Sequence, residues 1–241
     1  MDPLTATAAS GLRARMESLE MLANNVANAG TGGYKSDREF YSLYLAPEAE
    51  SNPVMPLIER PWTDFSQGTL TNTGNPLDMA LSGRGFFAVD GPSGPLYTRN
   101  GTFHLAPDGR LLTAEGYAVR ALGTGNLVLQ GAGPIEVDRE GTVRQNGADV
   151  GRLEVADFSS NVGLLKLGNT YFRAADGAVR PEPAQAVTVE QGQVETSNAS
   201  SAEAAVRLVS VMRQFEMLQK AVSLGAEMNQ AAIRDVARVG S

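Results

Sequence analysis

A chain of 241 residues with 42% hydrophobic side chains can bury a substantial core as one large domain or two small ones. Lys+Arg 20 against Asp+Glu 27 leaves a net charge of −7, so the average surface repels phosphate and nucleic acid is excluded as a natural partner. The complete lack of cysteine removes disulfides, thiolate metal sites and thiol nucleophiles together.

The first four residues, Met1-Asp2-Pro3-Leu4, lack the basic start and continuous apolar core of a secretory signal, so no cleaved leader is expected. No uncharged apolar run reaches the roughly 18 to 20 residues that a membrane-spanning helix needs. From Pro3 to Asn28 the apolar residues Ala8, Leu12, Leu19, Leu22 and Val26 recur at helical spacing, which predicts an amphipathic helix. Pro3 suits a first turn, and Asn28-Ala29-Gly30 followed by Gly32-Gly33 supplies a stop. The first region is therefore 1–36. Residues 37–75 contain Phe40, Tyr41, Tyr44 and Leu45 followed by Pro47, Pro53, Pro56 and Pro61, which rules out a long helix and predicts an extended connector.

Residues 76–190 are Gly-rich, with short apolar runs such as Phe86-Phe87-Ala88-Val89, Leu111-Leu112 and Leu127-Val128-Leu129. Between them stand Asn100-Gly101, Asp108-Gly109, Asn146-Gly147 and Asp176-Gly177, all tolerant of positive φ, so antiparallel hairpins and an all-β domain are expected. Residues 191–241 end the chain. Asn198-Ala199-Ser200-Ser201 offers N-cap candidates, no proline follows, and Leu208, Val211, Phe215, Leu218 and Val222 alternate at three and four residues as a coiled-coil seam does. Met212, Met217 and Met228 lie beside that seam, where flexible thioethers suit a surface meeting several different neighbours.

Such helices could simply cover the β domain, but a narrow stripe favours helix-on-helix packing. The fold class predicted is α+β: long N- and C-terminal helices pairing as an antiparallel coiled coil, an extended connector and a central all-β domain. A pair of helices buries only part of its apolar surface, and the remainder would seek other subunits.

Residues that could carry chemistry are few. His104 is the only histidine and lies between Phe103 and Leu105 in a predicted strand, an ordinary strand position rather than a catalytic one. Asp78, Asp90, Asp108 and Asp138 could supply a carboxylate pair for glycan cleavage, but spacing does not pair them, and Asp108-Gly109 reads as a turn. Gly83-Arg84-Gly85 precedes a strand and lacks the full spacing of a dinucleotide loop, and the residues around Asp176-Gly177 do not alternate oxygen ligands as a calcium loop does. No catalytic residue, cofactor, metal or small-molecule substrate is expected.

Three segments carry a family resemblance. The first holds Ser10-Gly11-Leu12, Leu22-Ala23-Asn24-Asn25-Val26-Ala27-Asn28 and Gly33-Tyr34-Lys35. The second runs from Asn75-Pro76-Leu77-Asp78 through Gly83-Arg84-Gly85-Phe86-Phe87-Ala88-Val89 to Tyr97-Thr98-Arg99-Asn100-Gly101-Thr102-Phe103. The third joins Glu195-Thr196-Ser197-Asn198 to Met212-Arg213-Gln214-Phe215-Glu216-Met217. In this order they resemble the flagellar basal-body rod and hook protein family, with Arg213 to Met217 nearer its proximal-rod member than its distal-rod member. The resemblance implies a structural subunit of the periplasmic rod, exported by the flagellar type III apparatus without a cleaved signal and partnered by other rod proteins. It also implies an assembly interface on the terminal helices: Leu12, Leu19, Leu22, Asn24, Asn25, Val26 and Asn28 on the first, Leu208, Val211, Phe215, Leu218 and Val222 on the second. For the three asparagines, simple helix-end polarity and hydrogen bonding to other subunits or to the export gate are both open. A distal-rod subunit and a secreted, surface-binding β-rich protein are the alternative readings.

Overall fold

The computed structural model describes residues 3–39, 41–45, 54–58, 62–123, 125–130, 133–158, 163–168, 170–175 and 180–239. The chain divides into two compact units. One is helical and consists of Met1–Ala27, Asp37–Asp64 and Ser200–Ser241; the other is β-rich and consists of Asn28–Ser36 and Phe65–Ala199.

In the helical unit, α1 (Pro3–Ala27) and α2 (Ser201–Val239) pack against each other, and α1 also lies against the strand Val54–Ile58. Ser200 caps α2: its Oγ accepts the Glu203 N–H at 3.3 Å, and Ser200 and Glu203 stand at capping-box spacing. The 39 residues of α2 extend about 58 Å at 1.5 Å per residue, and Gly225 does not interrupt them.

Residues 37–64 are not simply extended. Asp37–Arg38 pairs antiparallel with Trp62–Thr63, and Tyr41–Leu45 pairs with Val54–Ile58, Pro56 standing opposite Leu43. Proline excludes a helix but is tolerated in a two-stranded ladder, where both strands are edges and need no inward N–H at every position. Pro47, Pro53 and Pro61 lie outside the described residues. The short ladder is tightened by Thr63 Oγ1 donating to Asp37 Oδ1 at 2.7 Å and by Arg38, which pairs with Asp64 at 2.6 Å and sits 5.9 Å from the Trp62 ring centre.

The β unit is built around one antiparallel sheet whose path runs Leu164–Leu167, Tyr171–Ala174, Gly94–Thr98, Phe86–Gly91, Ala118–Ala121, Leu111–Thr113, Phe103–Leu105. Phe86–Gly91 is central, and its unbroken apolar run has a physical reason, since successive strand residues face opposite sides. Phe87 and Val89 join one buried cluster with Leu96, Phe103, Leu111 and Val119, while Phe86 and Ala88 join another with Tyr97, Phe158 and Phe172.

Two of the expected turns form hairpins. Asp108-Gly109 joins Phe103–Leu105 to Leu111–Thr113, and Asn146-Gly147 joins Thr142–Gln145 to Ala148–Arg152 with φ of 54° and 78°, the paired positive values of a type I′ turn. Asn100-Gly101 is different: the strands on either side of it are not neighbours. Gly101 is needed there for close approach, because a Cβ would lie 1.7 Å from the Met79 carbonyl oxygen. Asp176-Gly177 lies outside the described residues.

The division anticipated at 36/37, 75/76 and 190/191 differs from the one observed. Residues 28–36, 65–75 and 191–199 belong with the β unit, where Leu70–Asn72 pairs with Gln193–Glu195 and Met79–Gly83 pairs with Val187–Gln191. Composition marks where texture changes, whereas strand pairing decides which segments fold together.

Candidate assembly interface

The inward face of α2 is the stripe read from spacing. Val211 is buried, Leu208, Phe215, Leu218 and Val222 are half-buried, and Ala204 extends the row by one turn as a buried residue. On α1 the buried row is Ala14, Ser18, Leu22 and Asn25, with Leu12, Leu19 and Val26 half-buried on its flanks and Asn24 exposed. Gly11 stands opposite Leu218: a Cβ there would meet Leu218 Cδ1 at 3.6 Å, an ordinary van der Waals distance. Hydrophobicity alone points to the leucines and overlooks Ala14 and Ser18, which are as buried as Leu22.

A second apolar row on α2 is exposed among the described residues. Val206, Met217, Leu224 and Met228 are 72%, 61%, 58% and 65% exposed. At about 100° per residue these four fall within about 40° of one another, on the side away from the seam. Val209 and Met212, at 49% and 47%, extend the exposed apolar surface sideways, and Met16 is exposed on α1. A helix that is apolar on two opposite sides suits burial between neighbours better than a free surface.

The asparagines differ from one another. Asn25 reproduces a backbone pairing inside the helical unit: its Nδ2 donates to the Asp37 carbonyl at 2.8 Å, and its Oδ1 accepts the Asp37 N–H at 3.0 Å. Asn28 shapes the turn after α1, its carbonyl accepting the Thr31 N–H at 3.0 Å and its Oδ1 the Thr31 hydroxyl at 3.3 Å.

Within the β unit, the three resemblance-bearing segments meet at a buried ion cluster. Lys35 Nζ donates to Glu195 Oε1 at 2.6 Å and to the Ser66 carbonyl at 2.7 Å, with both charged side chains at 0% exposure. Gly68 N–H donates to the same carboxylate oxygen at 2.8 Å. Arg99 Nη1 reaches Glu195 Oε2 at 3.3 Å and the Leu81 carbonyl at 3.2 Å, and its Nη2 donates to the Gly83 carbonyl at 2.5 Å. Burial pushes the Arg99 guanidinium below its usual range, opposed by Glu195. Two cations and one carboxylate out of water are held together by geometry, and removing the carboxylate alone would cost about 3–5 kcal/mol. Spacing gives no hint of this cluster, although each member stands inside a recognisable segment.

Backbone closeness completes it. Gly33 has φ of 68°, and a Cβ there would lie 2.3 Å from the Arg99 carbonyl carbon; one on Gly68 would lie 2.0 Å from the Thr196 carbonyl oxygen. Asn198 ties the same region, its Oδ1 accepting the Ser36 N–H at 2.7 Å and its Nδ2 donating to the Ser66 carbonyl at 3.1 Å.

Three of the four carboxylates considered for chemistry, Asp78, Asp108 and Asp138, serve turns. Asp78 accepts from Thr73 Oγ1 at 2.7 Å and Asn75 Nδ2 at 3.1 Å. Asp108 is held below the usual carboxylate range by the Arg110 backbone N–H and side chain; for Asp138, burial acts upward, but the hydrogen bonds from Thr142 and Glu140 together with the Arg144 charge bring it below that range as well. Asp90 pairs with Arg120 at 3.1 Å. His104 is exposed on its strand. Gly83 and Gly85, with φ of 107° and 145°, make the tight turn before Phe86–Gly91.

These features define a class of protein in which helices from both chain ends pack together in one unit and the middle of the chain folds as a β-rich unit. Residues 6–35 match the family model described as "Flagella basal body rod protein", residues 80–145 "Flagellar hook protein FlgE/F/G D1 domain", and residues 190–235 "Flagellar basal body rod FlgEFG protein C-terminal". Each range contains one member of the ion cluster. The flagellar basal-body rod protein FlgF of Caulobacter vibrioides is 30% identical over 92% of both chains, and that of Mesorhizobium japonicum 30% over 90% of both. FlgG of Agrobacterium fabrum is 32% identical over 92% of this chain and 95% of its own. The chain belongs to the flagellar basal-body rod protein family.

Proposed function

We propose that this protein is a structural subunit of the proximal flagellar rod, joined to neighbouring rod proteins through its terminal helices. The observation that carries the reading is the second apolar face of α2, which lies exposed among the described residues. Head-to-tail contacts that do not close into a ring generate a helical assembly, and a helix of about 58 Å offers room for several neighbours. The role is mechanical and involves no catalytic step.

Within the subunit α1 and α2 form an antiparallel coiled coil. The contact between Gly11 and Leu218 lies 27 − 11 = 16 residues before the end of α1 and 218 − 201 = 17 residues after the start of α2, matching lengths of about 25 Å. Before assembly the outer apolar row of α2 lies on solvent, which suits a chain exported unfolded by the type III apparatus and completed against its neighbours in the periplasm. The segment Arg213-Gln214-Phe215-Glu216-Met217 supports the proximal position, while the similarity to FlgG keeps a distal position as the second reading.

Purification of intact basal bodies from the native host, with mass-spectrometric quantification against other rod components, tests the role. A fixed ratio to those components is expected, and crosslinks to their immediate neighbours separate proximal from distal. Absence from basal bodies together with abundance in the medium would overturn it.

A further inference from the structure

We propose that the buried Lys35, Arg99 and Glu195 cluster is a latch that closes residues 28–36 and 193–199 onto an already complete β core, and that this latch opens without unfolding that core. Among the described residues the two segments contribute no side chain to either apolar cluster of the β unit, whose buried members lie between Met79 and Val189. Apart from the buried Tyr34 ring, what holds them is polar. Besides the three charged groups, Gly33 N–H donates to the Glu195 carbonyl at 2.7 Å, Thr196 N–H to the Thr69 carbonyl at 2.9 Å, and Lys166 Nζ to the Lys35 carbonyl at 2.7 Å. The Lys166 ammonium also lies 4.1 Å from the centre of the buried Tyr34 ring.

Buried charges resist separation strongly but supply little net stability, because desolvation opposes their attraction. A segment held in this way opens in a single step when the charge balance fails, whereas the apolar clusters persist on their own burial. Glu195 is the pivot, since both cations and the Gly68 N–H converge on its carboxylate. Gly33 and Gly68 admit the approach that this convergence needs.

Native-state hydrogen exchange on the full chain tests the latch through two groups of amides. The latch group is Gly33, Ser36, Gly68 and Thr196; the core group is Ala88, which donates to the Glu154 carbonyl, and Leu127, which donates to the Val119 carbonyl. In Glu195→Gln the latch amides are expected to exchange roughly 100-fold faster or more while the core amides stay within about twofold. Lys35→Met leaves Glu195 paired with Arg99, so Gly33 and Ser36 are expected to accelerate by about tenfold while Gly68 and Thr196 stay protected. Equal acceleration of latch and core amides in either variant, or a Glu195→Gln chain that does not fold, would show one cooperative unit and overturn the proposal. Unchanged latch amides in both variants would overturn it equally.

Discussion

Leu224 offers the sharpest test of the outer face of α2, because it stands 58% exposed and its loss should matter only in the assembly. Full burial of a leucine stabilises by about 1.5–3 kcal/mol, so a neighbour covering the remaining surface gains about 1–2 kcal/mol. Leu224→Asp forfeits that gain and places a carboxylate against apolar surface, adding about 2 kcal/mol or more. The sum, about 3–4 kcal/mol, raises the concentration needed for assembly by roughly 100-fold or more, at 1.4 kcal/mol per tenfold. In the isolated subunit the same change lies on solvent and should alter stability by no more than about 0.5 kcal/mol. The assay pairs thermal unfolding of the purified subunit with recovery of the variant in basal bodies and with motility. Normal incorporation of Leu224→Asp would refute the assignment of this face to neighbouring subunits, and a large loss of stability in the free subunit would show that the residue works inside the chain instead.

Three further outcomes follow from the same geometry. Leu218→Asp puts a charge on the helix face beside Gly11, so it should prevent incorporation while the melting of the β unit, of which α2 is not a part, stays unchanged by near-UV circular dichroism. Gly33→Ala should destabilise the β unit by about 2 kcal/mol or more in urea titration, because alanine is strained at φ of 68° and its Cβ meets the Arg99 backbone. Burial, reinforced by the hydrogen bond to Glu115, raises the Tyr171 phenol well above its usual range, and burial raises Tyr97 as well. A phenol that stays protonated in the folded state but ionises on unfolding adds stability below about pH 10 that is lost as pH rises further. Tyr171→Phe should therefore flatten the alkaline fall in stability without abolishing it, and an unchanged slope would contradict that assignment.

Much of the fold follows from local pattern. Spacing of Leu208, Val211, Phe215, Leu218 and Val222 marks the inward face of α2, since a seam must recur with the turn of its own helix. The run Phe86 to Val89 marks a central strand because both its faces are buried. The ladder within residues 37–64 was less visible, because short paired strands interrupted by proline have little periodicity to read.

What the sequence by itself determined was the helical ends, the β-rich middle and the family, because each depends on residues close together in the chain. Tertiary structure alone decided which side chains are buried without an apolar pattern to mark them: Ser18 on α1, and Lys35, Arg99 and Glu195 where three distant segments meet. The lysine and the glutamate are 160 residues apart in the chain and 2.6 Å apart in space. No local pattern encodes that pairing, because neither charge could stay buried until the other had been brought beside it.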